Sequence, residues 1–313
     1  MRAAIAGLVA AACLACAPAQ GRELQVVASI KPVHALASLV MGDTGHVDLL
    51  VGGNASEHIY SLRPSQARAL ADADLVVWAG PQIESFLVRP VASLDAGHVL
   101  ALTQVAGLTL LPFREGGPFE AHDDGAHEGD EDHERDHEHE EGAFDGHVWL
   151  DPHNAVVIVN ALADAFAARD AEHASLYHAN AQAAVSRLQA LDGELAAMLA
   201  PVEGKPFIVF HDAYHYLEHR YGLNTVGSVT VNPEVPASAK RVSELKARIV
   251  RLGAVCLFAE PQFDPKLIRS LKDGTGARSG VLDPLGAAIP EGPDQYFEMM
   301  RDLGRALTGC LAP

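Results

Sequence analysis

A chain of 313 residues that is 49% hydrophobic and 20% charged can bury a core and is long enough for two domains of ordinary size, which excludes a small disulfide scaffold and a wholly disordered chain. Its 23 basic and 41 acidic residues leave a formal charge of −18, which argues against nucleic acid or an anionic membrane surface as partner. The charge is concentrated: residues 114–146 hold fourteen acidic residues against Arg114 and Arg135, a local −12, so the rest of the chain carries only −6.

The first segment, MRAAIAGLVAAACLACAPAQ, places Arg2 ahead of an apolar run that ends in the small-x-small triplet Ala17-Pro18-Ala19. That order predicts a secretory signal peptide (residues 1–19) cut after Ala19, and hence an exported protein. The run falls short of the roughly 20 residues that a spanning helix needs. No leucine stands three positions before Cys13 or Cys16, which sets a lipid anchor behind a cleaved leader. Cleavage leaves Cys256 and Cys310, and two cysteines in an oxidising compartment predict one disulfide. It would staple the last helix to a strand.

From Leu24 the pattern alternates. Strand-like LQVVASI, HVDLLVGG, DLVVWAG and HVLALT are separated by helical KPVHALASLVMG, RPSQARALADA and PQIESFLVRPVASL, as a buried parallel sheet requires. One segment breaks the pattern. Residues 114–146 have glycines, no apolar periodicity, and His122, His127, His133, His137 and His139 among carboxylates, which predicts a disordered surface loop able to bind metal weakly. Residues 172–200 contain no proline and a single glycine, and their apolar spacing predicts a stiff helix of about 40 Å. After it the α/β alternation resumes through KPFIVF, LNTVGSV, AVCLFAE and ARSGVLD, closed by a helix through PDQYFEMMRDLGRALTG. The reading is two similar α/β lobes with mainly parallel sheets, 20–171 and 201–313, joined by a long rigid helix at 172–200.

Three short motifs put a histidine where such domains place ligands, in turns after strands or entering helices. They are Ser56-Glu57-His58-Ile59-Tyr60, Asp145-Gly146-His147-Val148-Trp149-Leu150-Asp151-Pro152 and Phe210-His211-Asp212-Ala213-Tyr214. Singly each is weak, because a lone histidine at a strand end is more often a surface or core residue. In order, together with VNPEVPASAKR, CLFAEPQFDP and LDPLG, they resemble the zinc-binding periplasmic receptors of ABC importers, the ZnuA type within the metal-binding cluster A-I of solute receptors. The resemblance runs from about Leu24 to Cys310.

That resemblance implies a non-enzymatic receptor that binds Zn²⁺ through His58, His147 and His211 and delivers it to a membrane ABC permease. Periplasmic zinc chaperones as further partners and a monomeric state accompany this expectation. Three imidazoles suit Zn²⁺, which accepts a carboxylate or water as fourth ligand. The fourth position is open between Asp283 of LDPLG, which is favoured, and Glu57 or water. His215 and His219 follow His211 at helical spacing, but read as one face of a surface helix. Two rival functions remain: a zinc-dependent hydrolase, against which stands the lack of H-E-x-x-H or G-x-S-x-G, and a metal-binding adhesin or zinc buffer without a transporter.

Overall fold

The computed structural model describes residues 23–114, 119, 144–230, 238–253 and 255–312. The signal-peptide segment, the loop histidines His122, His127, His133, His137 and His139, and residues 231–237 lie outside the described residues.

The first half builds β1 (Gln25–Ile30), α1 (Lys31–Met41), β2 (His46–Val51), α2 (Pro64–Asp72), β3 (Leu75–Trp78), α3 (Val88–Ala92) and β4 (Val99–Ala101). Proline at the start of α1 and of α2 suits a helix N-terminus, because that position has no intrahelical use for an N–H. The predicted helix over PQIESFLVRPVASL is shorter than its pattern. It is a 3₁₀ turn at Ser85–Leu87 running into the five-residue α3. The four strands are all parallel, in the order β2-β1-β3-β4. β1 and β3 are buried along almost their whole length, as strands covered on both faces must be.

Two long helices follow, α4 (Pro152–Ala167) and α5 (Ala174–Leu199). α4 starts on an N-cap, with the Asp151 side chain accepting from His153 N at 2.8 Å, and the His147 segment leads into it through a 3₁₀ turn at Val148–Leu150. The second half repeats the first: β5 (Pro206–Val209), α6 (His215–Tyr221), β6 (Asn224–Ser228), α7 (Ala239–Leu252), β7 (Cys256–Ala259), α8 (Lys266–Lys272), β8 (Arg278–Val281) and α9 (Gln295–Leu311). Its sheet is again parallel, in the order β6-β5-β7-β8.

One apolar core joins the halves. It runs from Val26 and Val77 in the first sheet through Leu36, Leu162 and Leu188 on α1, α4 and α5 to Phe258 and Leu303 in the second half. A second, smaller core lies between the other face of the second sheet and the α7–α8 layer, built on Ile208, Leu245, Leu257 and Ile268. The predicted Cys256–Cys310 disulfide is formed, with Cα atoms 6.1 Å apart, and it ties β7 to α9. Among the described residues no helix is long and apolar enough to cross a membrane.

Candidate metal centre

The chain order of each sheet reverses at its second strand, and in open parallel sheets such switch points, at the carboxyl ends of the strands, are where ligands sit. In the second sheet the switch lies between β5 and β7. His211 follows β5 by two residues and Glu260 directly follows β7, so both side chains emerge at that crevice. In the first half Glu57 and His58 lie in the loop from β2 to α2, and His147 stands at the turn leading into α4.

These elements bring four side chains together. One ligand atom from each of Glu57, His58, His147 and His211 lies within 4.8 Å of all the others. The three rings are nearly equidistant, with centroids 5.3–5.6 Å apart. His147 Nε2 and His211 Nε2 are 3.4 Å apart. Two nitrogens bound to one tetrahedral Zn²⁺ at 2.0–2.1 Å stand about 3.3–3.4 Å from each other, so the pair is spaced for a shared ion.

Outside the cluster, carboxylates fix the rings. His147 Nδ1 faces Asp145 Oδ1 at 2.6 Å, and the same oxygen accepts from His147 N at 3.0 Å. His211 Nδ1 faces Glu260 Oε2 at 2.7 Å, while Glu260 Oε1 accepts from His211 N at 3.3 Å. Each carboxylate holds Nδ1–H and thereby leaves the Nε2 lone pair for a metal. Trp149, wholly buried, packs against the His147 ring. Gly146 is needed for close approach, since a Cβ there would stand 2.7 Å from Ile83 Cγ1.

Two atoms of the cluster have no hydrogen-bond partner although they are buried, Glu57 Oε1 and His58 Nε2. They lie 3.7 Å apart. A buried acceptor without a donor is costly, and a cation placed between them and the two Nε2 atoms would satisfy all four. Charge is tuned accordingly. Burial, reinforced by the neighbouring His211 and His147, pushes the His58 imidazole well below its ordinary value and keeps it neutral. Burial raises the Glu57 carboxyl, against the pull of His211 and His147. For His211 burial acts downward, but the charge and hydrogen bond of Glu260 outweigh it and lift the imidazole to about 9.

The profile of the family described as "Zinc-uptake complex component A periplasmic", ZnuA, matches residues 26–310. The high-affinity zinc uptake system protein ZnuA of Brucella suis is 47% identical over 312 residues, covering 93% of each chain. Its counterpart in Yersinia pestis is 34% identical, covering 97% of this chain and 96% of the relative. The chain belongs to the ZnuA family. Among solved structures, the laminin binding protein of Streptococcus agalactiae, described as bifunctional with adhesin and metal transporting activity, superposes with a TM-score of 0.74 at 26% identity, covering 92% of this chain and 99% of that one. ZnuA proteins are receptors for zinc transport and not enzymes, which disfavours the hydrolase reading.

Within this ZnuA-family fold the sequence-predicted residues divide clearly. His58, His147, His211 and Glu57 meet. Asp283 is not in that cluster and lies on a turn after β8: Oδ1 accepts from Leu285 N, Gly286 N and Gln262 Nε2 at 3.0–3.1 Å, and Oδ2 accepts from Ala287 N at 2.6 Å. Its lone pairs are largely spent on backbone N–H groups. His215 is half-buried at the start of α6 and His219 is exposed near its end, and neither belongs to the cluster. Sequence reasoning missed Glu260 and Asp145. The available signals were a carboxylate ending the apolar run AVCLFAE and an aspartate two residues before a ligand histidine.

Proposed function

We propose that this chain captures one Zn²⁺ in the periplasm with His58, His147, His211 and Glu57 and hands it to the membrane permease of an ABC importer. The observation that carries the reading is the pair of buried, unpartnered atoms, Glu57 Oε1 and His58 Nε2, facing two imidazoles whose other nitrogens are held by carboxylates. Three nitrogen donors and one oxygen form a set that suits zinc. Asp283, held by its turn, serves as a nearby negative charge with Glu57 in the fourth position.

The finer statements belong to the same reading. The leader is removed near Ala19, the first lobe spans 20–171, the linking helix 172–200 and the second lobe 201–313, and the receptor acts as a monomer, with periplasmic zinc chaperones as upstream donors. Residues 114–146 supply weaker metal sites through their five histidines. Competition with a chromogenic chelator tests the assignment. His58→Ala, His147→Ala and His211→Ala should each weaken zinc binding by orders of magnitude, whereas His153→Ala and His178→Ala should not. Equal binding by all five variants would refute it.

A further inference from the structure

The segments that carry His147 and His211 come from opposite halves of the chain, and a short strap outside the coordination sphere ties them together. Leu111 O accepts from Asp145 N at 2.9 Å, and Pro112 bridges Phe144 in antiparallel fashion, so residues 111–114 run beside the strand-like lead into His147. Tyr216 on α6 locks this pairing from the other half, donating its hydroxyl to Asp145 O at 2.6 Å and accepting from Leu111 N at 3.2 Å. The strap ends in Arg114. Its guanidinium reaches two carboxylates: Nε donates to Asp212 Oδ2 at 3.0 Å and Nη2 to Asp212 Oδ1, while Nη1 and Nη2 donate to Glu218 Oε2 and Oε1 at 2.7 and 3.0 Å.

Asp212 directly follows His211, and Glu218 lies on α6. All three side chains are largely shielded, at 17% exposure for Arg114, 14% for Asp212 and 7% for Glu218. Paired N–H donors in a planar fork fix both distance and direction, which a point charge does not. Without the guanidinium, two shielded carboxylates would face each other unpaired, and each would seek water. With or without that charge penalty, the fork that fixes the Asp212 turn against the strap is lost, and the His211 backbone is then free to move away from the His147 segment.

We propose that Arg114 is a positioning residue for the metal centre: by splinting the His147 segment to the His211 turn it holds the two Nε2 atoms at coordinating separation and sets how long the ion stays. Zinc leaves only when at least one of these imidazoles backs away, so the strap acts on release more than on capture. The inference rests on the reading that the four clustered side chains bind zinc.

The test uses the mature chain with zinc and, separately, with Co²⁺, whose visible absorption reports coordination geometry. Arg114→Met should speed zinc release into excess chelator by roughly tenfold or more, the scale on which loss of a group supporting a ligand weakens metal sites. Its association rate should change little, and the Co²⁺ spectrum should shift. Arg114→Lys, which keeps the charge but not the fork, should fall between. Because Arg114→Met strands two carboxylates, at a cost that could unfold the chain, the triple variant Arg114→Met, Asp212→Asn, Glu218→Gln removes that charge penalty and should still release zinc faster. Arg187→Ala, which breaks an exposed ion pair with Asp294, should match wild type. Release and spectra unchanged in both Arg114→Met and the triple variant would overturn the proposal, as would fast release confined to the variant with stranded carboxylates or shared by Arg187→Ala. A wild-type chain that takes up no zinc would instead sink the receptor reading, and the strap with it.

Discussion

His147 and His211 each place Nδ1 against a carboxylate, so on the proposed reading the quality of the site depends on groups that never touch metal. Glu260→Gln keeps the size of the side chain but removes the charge that favours donation from His211 Nδ1–H. Zinc affinity should fall about 10- to 100-fold, with retained secondary structure by circular dichroism, and an unchanged affinity would show that the carboxylate has no orienting role. The same pair dictates the pH dependence. With the His211 imidazole raised to about 9, the ion-free chain holds a proton there at neutral pH, and zinc must expel it. Affinity should therefore rise with pH by up to about tenfold per unit below pH 9, where one proton is released per ion. It should keep falling into acid, because coordinating imidazoles must be neutral. Calorimetry in buffers of different ionisation enthalpy counts that proton at pH 7.5, and a flat affinity from pH 7.5 to 5 would mean that histidines do not hold the ion.

At the scale of elements, the second half depends on α9. This helix packs Tyr296, Met300, Leu303 and Leu307 into the common core, and its last turn carries Cys310, bonded to Cys256 on β7 across 54 residues. On the chain-entropy account a loop of that length is worth roughly 4 kcal/mol. Cys256→Ser with Cys310→Ser should lower Tm by roughly 10 °C and leave zinc affinity as it was, because neither cysteine is near the four ligands. A loss of affinity with unchanged Tm would reverse that assignment. The strands were legible because runs such as LVVW and CLFA are buried on both faces and carry β-branched and apolar side chains throughout. The helix expected over PQIESFLVRPVASL was over-read. Its apolar periodicity is interrupted by Pro90, and only Ser85–Leu87 and Val88–Ala92 wind into helical turns.

Over the whole molecule, the continuous core through α4, α5 and α9 gives the two sheets a shared backing instead of a loose hinge. Close-packed interiors resist continuous deformation, so on the proposed reading zinc exchange would fall to the loops that carry Glu57, His58, His147 and His211. The acidic, histidine-rich segment is inserted between Arg114 and Phe144, whose neighbours Pro112 and Phe144 meet, so the chain leaves and returns at one place beside the His147 segment. Deletion of residues 115–143 should accordingly keep the tight site, remove additional weaker zinc equivalents, and slow uptake when zinc is scarce, since tethered ligands raise the local ion concentration. Calorimetry on intact and shortened chains decides this. One zinc per chain in both, with equal uptake rates, would leave the segment without a metal role.

The sequence by itself determined the alternation of elements, the parallel class of both sheets and the pairing of Cys256 with Cys310, while His58, His147 and His211 were singled out through the resemblance their motifs carry. The elements rest on local signals, periodicity and turn residues. What only the tertiary structure decided is which carboxylates stand beside the three histidines. Along the chain Asp283 is the favoured donor, with Glu57 or water as its competitor. In space Asp283 is held by the N–H groups of its own turn, whereas Glu57 Oε1 is buried beside His58 with no other partner. Glu260 and Arg114 act across separations of 49 and 98 residues, and no local pattern encodes a contact between a strand end in one part of the fold and a turn in another.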